Sequence, residues 1–119
     1  MTLLAQYTED LRYFHPYRRA MVVIAREGVV LRKTIDDEDW RLCARKKPEI
    51  PYDDWLAAKR AAVAALPAWA AEITELPSLE EIETWVTDAL CPTPTGDDVE
   101  PDGTGPDGAP SWLRVLGFV

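Results

Sequence analysis

Ala20-Met21-Val22-Val23-Ile24-Ala25-Arg26-Glu27-Gly28-Val29-Val30-Leu31 is the stretch on which the fold class turns. Two apolar, β-branched runs flank Arg26-Glu27-Gly28, and the glycine stands where a three-residue hairpin loop needs a left-handed residue. The same residues admit a helix from Pro16 to Glu27, with the proline in its first turn and Gly28 as its stop. The Val and Ile content tips the reading toward the hairpin.

Outside this stretch the spacing is helical. Leu3 or Leu4, Tyr7, Leu11 and Phe14 recur at three and four, which predicts a helix over 2–14, ended by His15-Pro16. Residues 36–47 read as a helix with Asp36, Asp37, Glu38 and Asp39 in its first turn and Arg45, Lys46 and Lys47 in its last, each end matched to the helix dipole. Asp37 and Arg41 stand at ion-pair spacing, and Trp40, Cys43 and Ala44 mark the apolar side. An alanine-rich helix follows over 53–66, broken by Pro67, with a further piece over 68–76. Ser78 and Glu81 form a capping box ahead of Leu79, Ile82, Val86 and Leu90, which predicts a helix over 79–90. The expectation is a mainly α domain of at least four helices around Leu11, Phe14, Leu56, Val63, Leu66, Ile73, Ile82 and Val86, with room for one β-hairpin near 20–33.

After Cys91 the composition changes. Residues 92–110 are rich in Pro, Gly and Asp, and Val99 is their one larger apolar side chain, so they read as an acidic linker. Ser111-Trp112-Leu113-Arg114-Val115-Leu116-Gly117-Phe118-Val119 then reverses the pattern with six large apolar residues in nine. The expected organisation is a compact domain over 1–91, a linker over 92–110 and an apolar peptide over 111–119. Such a peptide has two coverings open to it: its own domain, or a partner protein.

Charge is uneven along the 119 residues. Residues 1–60 carry a balance of +2 and residues 61–119 a balance of −10, for −8 overall. This disfavours direct nucleic-acid binding, which needs a surplus of Lys and Arg, and suits a basic partner for the second half. The basic set Arg12, Arg18, Arg19, Arg26, Arg32 and Lys33 reads as a solvated face with internal ion pairs. No apolar run approaches the roughly 18 residues of a membrane span, and the first residues lack a basic region ahead of an apolar stretch. The default compartment is therefore the cytoplasm, or the host cytoplasm or virion for a phage-derived chain. Cys43 and Cys91 are expected as reduced thiols.

No constellation for catalysis stands out. His15, the sole histidine, has no serine or cysteine close in sequence, so no catalytic residue is assigned. Two cysteines and one histidine do not make a zinc site. Asp98 to Gly103 resembles the front of a calcium loop, but its twelfth position is Ala109 where a glutamate is needed. No cofactor and no metal is expected. The sequence favours a non-enzymatic protein-binding or assembly component of a larger complex. It would dock on another protein or subunit through Trp112, Leu113, Val115, Leu116, Phe118 and Val119. The alternative is a small acidic inhibitor, of mobile-element or phage type, that imitates nucleic acid with Glu72, Glu75, Glu80, Glu81, Glu83 and Asp88.

Overall fold

A computed structural model describes residues 2–119. It corrects the mainly α expectation: the chain is α+β, 28% helical and 25% strand. A short 3-10 turn (Leu4–Gln6) leads into strands β1 (Glu9–His15), β2 (Ala20–Ala25), β3 (Val29–Thr34) and β4 (Arg41–Arg45). Helices α1 (Tyr52–Ala64), α2 (Ala68–Ala71) and α3 (Leu79–Thr87) follow, then strands β5 (Cys91–Pro92) and β6 (Asp98–Val99) and helix α4 (Trp112–Val115). The first four strands form an antiparallel meander in the order β1-β2-β3-β4, and β5 and β6 pair as a separate hairpin. Among the described residues no helix is long and apolar enough to cross a membrane.

The hairpin reading of the opening stretch holds. Val22 pairs with Arg32, Val23 with Leu31 and Ile24 with Val30, and Gly28 closes the loop at φ 82°. β2 is the strand around which everything packs, because all six of its residues are buried. Alternate side chains of a strand point to opposite faces, so β2 feeds two layers. Val22 and Ile24 meet Trp55 of α1, with Leu11, Tyr13, Val30 and Leu56 around them. On the opposite face Met21 joins Phe14, Ile73, Ile82, Cys91, Leu113, Val115 and Leu116, and Val23 and Ala25 join Val29 and Leu31.

Two expected helices are strands, for different reasons. In the 2–14 segment Leu11 lies opposite Ile24 and faces α1, while Phe14 lies opposite Met21 and faces the other layer. A strand covered on both faces carries apolar residues at both parities, and their spacing imitated a helical stripe. In the 36–47 segment the acids build a turn instead of a helix start. Asp37 Oδ2 accepts from the Thr34 backbone N–H at 2.8 Å and from Thr34 Oγ1 at 3.0 Å, and β4 begins at Arg41. The expected Asp37–Arg41 ion pair is present at 3.4 Å, spanning that turn.

The helices that the sequence marked most clearly are present. α1 covers the alanine-rich segment, and α3 starts at the capping box: Ser78 Oγ accepts from Glu81 N at 3.1 Å, and Ser78 N donates to Glu81 Oε1 at 3.1 Å. Val86, expected in the core, is 59% exposed.

Residues 92–110, expected as a linker, are a chain of turns held by their own hydrogen bonds. Thr93 N donates to Asp97 O at 2.7 Å, Gly103 N to Glu100 O at 2.7 Å and Gly105 N to Ala109 O at 2.8 Å. Gly96 and Gly108 supply the positive φ that these turns require. The segment delivers Ser111 to the core, where its hydroxyl donates to Pro101 O and accepts from Arg114 N. Ser111 thereby caps α4. Gly117, at φ 81°, ends α4 with Gly117 N donating to Arg114 O and Phe118 N to Leu113 O, the paired bonds of a Schellman close.

A four-residue helix has no stability of its own, so α4 exists because Leu113, Val115 and Leu116 are buried against Phe14 and Met21. Leu113→Ala is expected to lower unfolding free energy by roughly 2–5 kcal/mol, as large-to-small core changes do. Urea titration followed by tryptophan fluorescence measures this, and a loss below 1 kcal/mol, roughly the scale of an ordinary surface change, would contradict the packing.

Candidate functional site

The segment from Glu75 to Glu81, which leads into α3, leaves a cleft of about 630 Å³ against β1, β2, β3 and the β3–β4 turn. Its floor is apolar: Met21 of β2, Ile35 and Trp40 of the β3–β4 turn, and Leu76 ahead of α3. Its rim is charged, with Arg12 and Lys33 on the sheet and Asp36, Asp37, Glu38, Glu75 and Glu81 around them. Five acids against two bases give the opening a negative balance.

Arg12 ties the two walls together. Its guanidinium pairs with Glu9 at 2.5 Å, donates to Thr74 O at 3.3 Å and lies 5.4 Å from the Trp40 ring centroid. The hydrogen bond from Arg12 holds the Glu9 carboxyl below its ordinary pKa. Asp37 is likewise held below the usual carboxylate range, first by the Thr34 backbone N–H. The remaining acids differ in their freedom. Glu81 is committed to the helix cap, whereas Asp36, Glu38 and Glu75 join no ion pair among the described residues.

Leu79, at the mouth of the cleft, starts an exposed apolar row. Leu79 is 57% and Val86 59% exposed, and Glu83 lies between them on the outer side of α3. Leu90, beyond the helix, is also exposed, while Ile82 is buried on the inner side. The six acids singled out by sequence, Glu72, Glu75, Glu80, Glu81, Glu83 and Asp88, are all exposed and lie in or beside α2 and α3.

The terminal peptide is covered by its own domain. Leu113, Val115 and Leu116 are buried, and Trp112 is half-buried with its ring edge-on to Phe14, centroids 6.4 Å apart. Phe118 and Val119 are exposed. Cys43 is exposed and Cys91 buried, both as free thiols.

Sequence reasoning missed the cleft floor because Ile35, Trp40 and Leu76 belong to turns that a helical reading dissolved. The run Thr34-Ile35-Asp36-Asp37 is the signal that was available: an Asp three residues after a Thr closes a side-chain-to-backbone turn. The site thus belongs to an antiparallel α+β domain with a meander sheet between helical layers. Comparison with protein-family models, with curated proteins and with solved structures finds no match to the chain.

The turn that shapes this cleft should respond to acid. Asp37 has a lowered folded-state pKa, so its contribution is present above its ordinary value of 3.8 and is lost as pH falls through the lower folded value. Asp37→Asn, which keeps an acceptor without the charge, should show a smaller drop in Tm than the parent between pH 5 and pH 2. Calorimetry at both ends of that range measures it, and equal drops would contradict this account of the turn.

Proposed function

We propose that the protein is a non-enzymatic protein-binding or assembly component whose docking surface is the acid-rimmed cleft together with the outer row of α3. The observation that carries the reading is the floor of Met21, Ile35, Trp40 and Leu76 under a negative rim, beside the exposed Leu79. An apolar centre with a charged rim is the anatomy of a protein interface. Its complement is a segment of another protein with an aromatic or aliphatic anchor flanked by Lys or Arg. The terminal peptide contributes through Phe118 and Val119, since its other apolar anchors serve the chain's own core.

A second reading rests on the acids of α2 and α3. Glu72, Glu80, Glu83 and Asp88 are exposed and join no ion pair among the described residues, which suits imitation of nucleic acid on a basic surface. Salt separates the two, because exposed charge pairs are screened at high ionic strength while apolar burial is not.

Panning a random peptide library against the folded protein tests the proposal. The expected enrichment is for peptides with an apolar anchor between basic residues. Their affinity should fall about tenfold or more in Leu79→Asp, a change at an exposed position. Affinity should fall only modestly between low and high salt. Enrichment of acidic peptides, or binding indifferent to Leu79→Asp, would contradict the docking surface. A steep loss with salt would favour imitation of nucleic acid.

A further inference from the structure

The face of the sheet that carries α1 holds a second cleft, of about 490 Å³, with the opposite electrostatic character. Val22 and Val30 lie among its lining, and Tyr13 and His15 of β1, Arg32 of β3, Arg18 and Lys59 surround them. Three cations face this space and, among the described residues, no carboxylate lines it, in a chain of net charge −8.

The cations are not spent elsewhere. Arg18, Arg32 and Lys59 join no ion pair among the described residues. The Nε of Arg32 is buried and has no hydrogen-bond partner among the described residues. Asp37 is the nearby acid whose charge acts on Arg32, but one of its oxygens is held by Thr34 and the other by Arg41. Lys59 lies 5.7 Å from the Trp55 ring centroid, which steadies its stem without neutralising it. His15 Nδ1 accepts from Arg18 N at 3.3 Å, which leaves the proton of the neutral ring on Nε2 as a further donor. Burial first, then Arg18 and Arg32, hold the imidazole below its ordinary pKa, as a positive surrounding should.

We propose that this cleft binds the phosphate group of a small organic phosphate. Arg32, Arg18 and Lys59 hold the anion, and Tyr13, Val22 and Val30 seat the organic body. A guanidinium presents its N–H groups as a planar fork that matches phosphate oxygens, and a lysine adds a point charge. The inference is independent of the docking surface, because Arg12, Met21 and Lys33 of the first cleft alternate along the strands with Tyr13, Val22 and Arg32 of this one.

Titration of the full chain with inorganic phosphate and with phenyl phosphate, followed by the His15 ring resonances and by calorimetry, tests the proposal. Both probes should shift the His15 signals. Arg18→Ala and Lys59→Ala, two changes outside the sheet, should each weaken binding about tenfold or more, the scale of a lost charged hydrogen bond. Arg45→Ala, outside the cleft, should leave it unchanged. Tighter binding of phenyl phosphate supports an ester as the natural source, and equal binding supports free phosphate. Absence of His15 shifts at millimolar phosphate, or affinity indifferent to Arg18→Ala and Lys59→Ala, overturns the proposal.

Discussion

The structure depends on burying β2 on both of its faces. Six consecutive side chains from Ala20 to Ala25 are removed from water, and antiparallel pairing with β1 and β3 satisfies the backbone polar groups that burial would otherwise orphan. One face requires α1 with Trp55 over Val22 and Ile24, and the other requires a layer over Met21 and Phe14. That second layer cannot be completed by α2 and α3 alone. It is closed by Cys91, Leu113, Val115 and Leu116, which arrive from the far end of the chain. The turns of 92–110 are therefore structural: they return an apolar segment to a sheet whose strands ended before residue 46.

Both clefts follow from the same constraint. Because β2 faces two layers, each layer leaves its own gap, and strand alternation gives the gaps different side chains. Arg12 and Lys33 look toward a rim on which Asp36, Asp37 and Glu38 of the β3–β4 turn, with Glu75 and Glu81, outweigh them. Arg32 looks the other way, toward Arg18 and Lys59, in a cleft whose described lining holds no carboxylate. The acid-rimmed apolar cleft and the cation-lined cleft therefore lie on opposite faces of the sheet.

Much of the local structure was legible in the residues. Gly28 between two β-branched runs marked the β2–β3 loop, and Ser78 with Glu81 marked the start of α3, because both signals act through neighbours in sequence. The Asp37–Arg41 pair was legible too, but its meaning was not: an ion pair four residues apart is geometrically available to a turn as well as to a helix. β1 was illegible because both of its faces are covered, which erases the alternation that identifies a half-buried strand. The terminal peptide showed that its apolar side chains needed a cover, and sequence left the cover open. Ser111 before Trp112-Leu113-Arg114-Val115-Leu116 and Gly117 after it were cap signals for a short helix, and Asp102-Gly103 and Asp107-Gly108 were turn signals inside an apparent linker. The cation-lined cleft needed tertiary structure, since Arg18, Arg32 and Lys59 come from three separate segments.

The central claim is that Leu113, Val115 and Leu116 of the terminal peptide are part of the core that β2 requires. Truncation after Pro110 removes Leu113, Val115 and Leu116, each worth roughly 1.5–3 kcal/mol of burial. That is comparable with the whole stability of a small domain, about 5–15 kcal/mol. Thermal unfolding of the truncated and full chains, followed by near-ultraviolet circular dichroism, is the direct measurement. The account predicts that truncation abolishes the cooperative transition or lowers its midpoint by 15 °C or more, on the basis that about 1 kcal/mol shifts Tm by roughly 4–8 °C at this size. A truncated chain that melts cooperatively within a few degrees of the full one would contradict it.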